Sequence, residues 1–444
     1  MAENQPDYQV GQRGLNIVAD PLTLPDGTLL KAENVEFVRE GGIGGLASRA
    51  GLAPLNASAL GAAVLAIVNI PIDTAAFGSS ASGLLVALHP SAPVSSSVWL
   101  FSNDGAAFSV PTGLASMLAA GEVNSTVLLG QRQRLAVRAF ESVFAVSYGT
   151  DLATVPPKLA KWDGTDASQP ALDLPSTDGL TPPTSAPSIV LDVLAVGALL
   201  YFTTTQAGVG GPNGQLVRVF RFLPSSGVLT QIGNTIDAGG AGSGELAGGL
   251  AFAYGNLFLG ISTSAFLPGR VYRILPDIET TWTLDETLPA GHDLISIGTF
   301  AGELYVGTHL TGGLSLIRKR TSAAVWSTSF TGASNDGYIG PLIEFDSKLF
   351  AGWWRSTGPQ LLVQVFDGTS WTEDENLVTT FSFTAVTRFG QAVEFGGALY
   401  WSMPRPGAYP TENGSLLKRD TGGTWTAPIS AARCVTGALA VVGP

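Results

Sequence analysis

Hydrophobic and polar positions along this chain fall into short alternating runs, not into helical periods. One motif recurs: an apolar residue, a turn containing Gly, Asp or Ser, then an apolar residue and an aromatic one. Its copies are Phe140-Glu-Ser-Val-Phe144, Val196-Gly-Ala-Leu-Leu-Tyr201, Tyr254-Gly-Asn-Leu-Phe258, Phe300-Ala-Gly-Glu-Leu-Tyr305, Phe345-Asp-Ser-Lys-Leu-Phe350 and Phe395-Gly-Gly-Ala-Leu-Tyr400. The aromatic anchors at the ends of these copies are 57, 57, 47, 45 and 50 residues apart. A weaker copy, Gly83-Leu-Leu-Val-Ala-Leu88, stands one period earlier. A second motif follows the first, in which a strand runs into a polar turn and an aromatic or apolar residue opens the next strand. Its clearest copies are Phe366-Asp-Gly-Thr-Ser-Trp371 and Arg419-Asp-Thr-Gly-Gly-Thr-Trp425; others run from Leu275 to Trp282, from Arg320 to Trp326 and from Phe101 to Phe108, with Trp162-Asp-Gly-Thr165 and the weak Phe222 to Leu229. Asp-Gly between alternating runs predicts a hairpin, because the turn needs a residue that adopts positive φ.

Together the two motifs give four short strands per unit. Between 294 and 330 they are expected at Ile295 to Phe300, Glu303 to Thr308, Leu314 to Lys319 and Val325 to Phe330. Repeated four-stranded units of this length predict an all-β chain built as a single β-propeller. Seven units fit best, at 63–113, 132–176, 190–236, 246–289, 292–332, 338–378 and 386–428, and six or eight also fit. A β-helix or two sandwiches accommodate the regular Gly-aromatic pacing less well. Trp282, Trp326, Trp371 and Trp425 open the outer strand of their units, which predicts packing between neighbouring blades. A short helix is expected at Leu114 to Ala120 and little helix elsewhere.

Three parts follow from this reading: an extended N-terminal arm with a β-hairpin over 1–60, the propeller over 61–430, and a C-terminal strand over 431–444 placed to close the ring beside the first blade. Such pairing would remove an open sheet edge.

Composition narrows the function. Only 13% of the 444 residues are Asp, Glu, Lys or Arg, about half of the ordinary share near 25%. With 45% hydrophobic residues the chain is too apolar to be disordered. The net charge of −12 leaves no positive footprint for sequence-independent nucleic-acid binding. The single cysteine, Cys434, excludes an internal disulfide and any zinc site of cysteine spacing. The N-terminus lacks the basic and apolar stretches of a secretory signal, so synthesis in a reducing cytoplasm is expected. The longest apolar run, Leu60 to Ile72, is too short to span a bilayer.

Familiar chemistry is absent from the sequence. No Gly-x-Ser-x-Gly, Walker loop or calcium loop occurs. Gly42 to Ala47 and Gly242 to Ala247 resemble a dinucleotide fingerprint only weakly, and no helix is expected after either. The three histidines His89, His292 and His309 lack metal-ligand spacing and are expected in ordinary surface or turn positions. Asp192, Asp293 and Glu344 lie on expected inner strands, where propeller glycosidases keep their carboxylates. They share no common context and are expected to be scattered. No cofactor and no metal is implied, and the chain is expected not to be an enzyme.

Loop lengths suggest one contact face. The loops between second and third strands are long and carry Trp353, Trp354, Arg355, Arg405 and Tyr409, a composition suited to protein contacts. Local packing of long loops is the alternative.

The first 50 residues carry a string of Gly14, Leu15, Asn16, Asp20, Pro21, Leu24 to Gly27, Ala32, Asn34, Val35, Phe37, Gly41, Gly42, Arg49, Gly51 and Leu52. This string resembles the opening of tailed-bacteriophage virion proteins, and a propeller after it is similar in plan to tail nozzle or head-closure stabilisation proteins of short-tailed phages. The string covers about a ninth of the chain, and the chain has little room for the extra platform domain of the larger nozzle proteins. The resemblance implies a structural component of a virion, at the tail, nozzle or vertex, and localisation to the particle. It implies portal, adaptor or tail components as partners, with copies of the chain in a symmetric ring. Arm residues Leu15, Ile17, Val35, Phe37 and Arg49 would then meet a neighbouring subunit or the propeller's own edge. A glycan- or host-surface-binding propeller is the alternative reading, and a propeller glycosidase or lyase a further one.

Overall fold

The computed structural model describes residues 35–40, 43–48, 83–89, 98–102, 136–139, 142–146, 158–162, 172–173, 188–197, 199–207, 215–224, 226–237, 248–262, 268–335, 337–355, 360–382, 389–403 and 414–442. The chain divides into two compact units, Met1–Pro71 with Pro444, and Ile72–Gly443. In the first, β1 (Val35–Glu40) and β2 (Ile43–Ser48) form an antiparallel hairpin with Glu40 opposite Ile43. These two strands form a sheet of their own and pair with no other described strand.

The second unit is an all-β propeller. Its four-stranded antiparallel groups follow one another in chain order, and each joins its strands by hairpins. The first group is β5 (Ala136–Ala139), β6 (Ser142–Val146), β7 (Lys158–Trp162) and β8 (Leu172–Asp173); the side chains of this group lie outside the described residues. Next come β9 (Ser188–Val196), β10 (Leu199–Ala207), β11 (Gln215–Leu223) and β12 (Val228–Asp237), then β13 (Gly248–Ala253), β14 (Asn256–Ile261), β15 (Arg270–Ile274) and β16 (Thr283–Thr287). The following group is β17 (His292–Phe300), β18 (Glu303–Leu310), β19 (Leu314–Ser322) and β20 (Val325–Asn335), within a few residues of the strands expected there. After it stand β21 (Gly337–Phe345), β22 (Lys348–Arg355), β23 (Gln360–Phe366) and β24 (Trp371–Asn376). The last group is β25 (Ala392–Phe395), β26 (Ala398–Met403), β27 (Gly414–Arg419) and β28 (Trp425–Val442).

β28 continues past its own group. Its first part pairs with β27, and its C-terminal part pairs antiparallel with β3 (Gly83–His89), which pairs in turn with β4 (Val98–Ser102). The C-terminal residues thus sit in a sheet with strands from the start of the propeller, and β28 pairs through its first part with β27 and through its last with β3. The expected helix at 114–120 lies outside the described residues. A helix that was not expected, α1 (Leu377–Phe381), follows β24, capped by Asn376, whose side chain accepts from the Thr379 amide. Five residues without apolar periodicity leave no helical signature in sequence.

The recurring aromatic anchors form the core. Tyr201, Phe258, Tyr305, Phe350 and Tyr400 all lie on second strands and are 2% exposed or less. Burying a ring of this size contributes about 1.5–3 kcal/mol. Turn chemistry explains the hairpins between first and second strands: Gly255, Gly302 and Gly397 adopt φ of +73°, +77° and +71°, where a Cβ is strained.

The outer-strand tryptophans do join neighbouring blades, each by its indole N–H. Trp282 donates to the Ile232 carbonyl (3.2 Å), Trp326 to Asp285 (3.0 Å), Trp371 to Ser329 Oγ (3.0 Å) and Trp425 to Asp374 (2.9 Å). In every case the acceptor lies on the outer strand of the preceding blade. The residue paired with the tryptophan on the third strand differs from seam to seam. Arg320, opposite Trp326, forks onto Asp285 and stacks its guanidinium 5.2 Å from the centre of Phe258. Arg419, opposite Trp425, forks onto Asp374 and stacks 4.8 Å from Phe350. At the seam between these two, Phe366 stands opposite Trp371 and packs 6.3 Å from Tyr305, while Ser329 stands where the two flanking seams have Asp. Ionic and apolar seams therefore alternate here, and the two partners change together: where the acid is missing, so is the arginine. An arginine buried without its carboxylate is strongly unfavourable.

Candidate functional site

Strand register brings four side chains into one row. Asp293 on β17 is opposite His309 on β18, His309 is opposite Tyr338 on β21, and Tyr338 is opposite Trp354 on β22. The His309–Tyr338 pair is the point at which β18 and β21 join, so that two blades form one continuous sheet. Close approach at this junction requires small residues. A Cβ on Gly307 would lie 2.3 Å from the Ile339 carbonyl oxygen, and Ser296 Oγ donates to that same oxygen at 2.8 Å.

The row is tightly stacked. The rings of His309 and Tyr338 lie parallel with centroids 3.9 Å apart, and Tyr338 stacks on Trp354 at 5.2 Å. Trp354 continues to Phe389 at 6.2 Å, and Phe389 to Trp401 at 4.8 Å. At the polar end, His309 Nδ1 lies 3.7 Å from Asp293 Oδ2, and the Asp293 side chain is 24% exposed. That separation is an ion-pair distance when the imidazole is protonated and too long for a hydrogen bond.

A second imidazole lies beside the first. His292 is buried, and its Nδ1 is 3.1 Å from Thr308 Oγ1, which also accepts from the Leu316 amide. Burial holds the His292 pKa below the ordinary histidine value, and the positive charges of His309 and Arg318 add to the effect against Asp293. The cluster thus offers a carboxylate, two imidazoles and a phenol at one end of the blades. Such a set can bind a polar group or exchange a proton. Among the described residues no group of three or more metal-ligating side chains could hold a metal ion.

The expectation that His292 and His309 are ordinary surface or turn residues is corrected: both are buried at strand ends, where the strands run a few residues past their apolar cores. The adjacent His292-Asp293 pair, followed by His309 on the partner strand, was the available signal. His89 lies on β3, and its side chain is outside the described residues. The three carboxylates do not converge. Asp192 is fully buried and accepts from the Leu250 amide at 2.6 Å, tying β9 to β13. Glu344 lies near the opposite end of its strand from Asp293's position and accepts from the Ala301 amide in the preceding blade's hairpin.

The expected contact face is corrected in part. Trp353 and Trp354 belong to β22 and not to the following loop, and they are 2% and 4% exposed. Trp353 donates to Ser315 Oγ at 3.0 Å, and Trp354 packs in the stack described above. Both are packing residues, because β22 runs longer than its apolar core suggests. Arg355 ends the strand and is half-buried. Arg405 and Tyr409 lie outside the described residues, as do Leu15, Ile17 and Arg49 of the arm. Val35 and Phe37 lie on β1. No helix among the described residues is long and apolar enough to cross a membrane.

No protein-family model matches the chain, and no curated protein matches it. Solved structures do. A protein from Bacteroides fragilis described provisionally as a 6-phosphogluconolactonase is similar with a TM-score of 0.54 at 13% identity, over 84% of this chain and 100% of that one. A protein from Bacteroides uniformis with the same provisional description gives 0.52 at 12% identity, over 81% and 99%. A protein from Lactobacillus plantarum gives 0.51 at 12% identity, over 81% and 98%. At this identity the likeness shows the fold. It also corrects the expectation that the chain is not an enzyme: this architecture is shared with proteins described as lactonases, so the missing sequence motifs do not separate the chain from catalytic propellers.

Proposed function

We propose that this chain is a component of a tailed-bacteriophage virion, a β-propeller attached to the particle through its N-terminal arm. One observation carries the reading. Residues up to Pro71 group apart from the propeller, and the β1–β2 hairpin inside them pairs with no described strand of the blades. A lone two-stranded hairpin is at best marginally stable in water. Among the described residues neither edge of this hairpin pairs with a third strand, and an unpaired edge presents backbone N–H and C=O groups to a further strand. Strand addition to a neighbouring portal, adaptor or tail subunit, or to another copy of this chain, satisfies those groups and stabilises the hairpin. The string from Gly14 to Leu52, which resembles the opening of virion proteins, coincides with this arm. The seams between blades support the same reading, since the buried Arg–Asp forks and indole bonds favour a rigid body that keeps its shape when packed among neighbours.

Deletion of residues 1–40 tests the proposal. The truncated chain is expected to fold and to remain in the soluble fraction while particles lose it. Retention of the truncated protein in purified particles, at the level of the full chain, would overturn the arm's role as the anchor.

A further inference from the structure

His292 occupies a junction that the arm and its attachment do not use. Its backbone closes the crossover from the β13–β16 blade to the β17–β20 blade. The His292 carbonyl accepts from the Gly269 amide at 2.8 Å, the Gly269 carbonyl accepts from the Leu288 amide at 2.9 Å, and the His292 amide donates to the Pro289 carbonyl at 3.0 Å. Gly269 has no spare room, since a Cβ there would lie 2.7 Å from the Leu294 amide nitrogen. The His292 side chain fastens the same junction to β18 and β19 through Thr308, whose hydroxyl meets both the imidazole and the Leu316 amide. His292, at the start of β17, thus touches the crossover, the residue before β15, and β18, and it reaches β19 through Thr308.

We propose that His292 is an acid-released latch: neutral, it locks the crossover between these two blades, and protonated, it frees it.

The charges around the ring determine the direction. β18 contributes His309, and β19 contributes Arg318. The Arg318 charge is shared with Glu286 of β16 at 2.9 Å, and Glu286 stands beside Asp285. β17 itself contributes Asp293, the one acid among the described residues that acts on the ring. β13 and β14, which pack on β17, carry no charged residue. β21 contributes Tyr338 and, toward its far end, Glu344. A proton on His292 therefore meets two basic neighbours and one acid in a buried site, where a cation is poorly solvated. The folded chain resists the proton and the unfolded chain does not. The His292 contribution to stability is present above the ordinary histidine range near about 6.5 and is lost as pH falls below it. Glu286 acts in the opposite sense: burial outweighs Arg318 and raises its pKa, so its protonation favours the folded state. Substitution at His292 is needed to separate the two.

The test compares the full chain with His292→Gln at pH 7.5 and 5.5. Glutamine keeps an amide near Thr308 and does not titrate in this range. In the wild type the amides of Gly269, Leu288 and His292 should exchange faster at pH 5.5, after correction for intrinsic exchange, and the melting temperature should fall. In the variant both changes should be markedly smaller. Equal responses of the two proteins would overturn the latch. If His292→Gln does not fold, the ring-proton NMR titration of His292 in the wild type decides: a midpoint below the free-histidine value, with the three amides loosening at the same midpoint, supports the proposal. A midpoint at or above that value overturns it, as do amides that do not follow it.

Discussion

Arg320 grips Asp285 across a blade seam with two hydrogen bonds, 2.8 Å from Nε and 2.9 Å from Nη2, and the two side chains are 8% and 1% exposed. Trp326 donates to the same carboxylate. Asp374, Arg419 and Trp425 repeat the arrangement two blades on. A buried pair of this kind contributes less to stability than its geometry suggests, since both charges lost their water, but removing one partner exposes the full cost of the other. Asp285→Ala is expected to destabilise the chain by about 3–5 kcal/mol, read from denaturant unfolding. The pair Asp285→Ser with Arg320→Phe copies the Ser329–Phe366 seam and should recover most of that loss. A double variant no more stable than Asp285→Ala would show that the seams are not interchangeable.

The same carboxylate sets an acid dependence. Burial alone raises the Asp285 pKa, but the bonds from Arg320 and Trp326 and the Arg320 charge outweigh it, and the net shift is downward. A carboxylate with a lowered folded pKa stabilises the fold above its unfolded value of about 3.9, and that contribution fades as pH falls through the folded value. The Asp285→Ser, Arg320→Phe variant lacks this term. Its unfolding free energy should therefore decline less than the wild type's between pH 5 and pH 3, and an identical decline would count against the assignment.

The indole bonds differ in acceptor. Trp425→Phe takes a donor from the charged Asp374, whereas Trp371→Phe takes one from the neutral Ser329 hydroxyl. Hydrogen bonds to charged groups are worth about 1.5–3 kcal/mol and neutral ones about 0.5–1.5. Trp425→Phe should be the more damaging of the two in thermal unfolding.

Gly307 governs the approach of β18 to β21. Gly307→Ala drives a methyl to 2.3 Å from the Ile339 carbonyl, which is backbone and cannot swing aside. Overpacking of this kind costs about 1–3 kcal/mol. The stacking of His309 on Tyr338 should weaken with it, seen as a change in the near-ultraviolet circular dichroism.

Trp354 lies within the stack between Tyr338 and Phe389. Trp354→Ala should cost about 3–5 kcal/mol, as large-to-small core changes do. Unchanged melting would return the residue to the contact face that its position beside a long loop first suggested.

Much of the fold was legible because strands and turns are local. Alternation and Gly turns locate the four strands at 292–335, which run two to five residues past the expected bounds, and the aromatic pacing locates every described second strand from Tyr201 onward. The seam residues were also visible as spacings, Arg320 to Trp326 and Arg419 to Trp425, but their partner acids lie 35 and 45 residues earlier, on a different blade. The row of Asp293, His309, Tyr338 and Trp354 was not legible. It depends on strands extending past their apolar cores and on the register between β18 and β21, and neither leaves a periodic mark. The burial of Trp353 and Trp354 follows from the same extension, since β22 runs on to Arg355.

By itself the sequence determined the strand class, the repeat and the low charge, because each is carried by composition or by neighbours within a few residues. The tertiary structure alone decided which seams are ionic and which apolar, that two histidines are buried beside one carboxylate, and that the C-terminal strand is shared between β27 and β3. Those are contacts between residues far apart in the chain, and a buried charge or imidazole acquires its properties only from the partners that folding places around it.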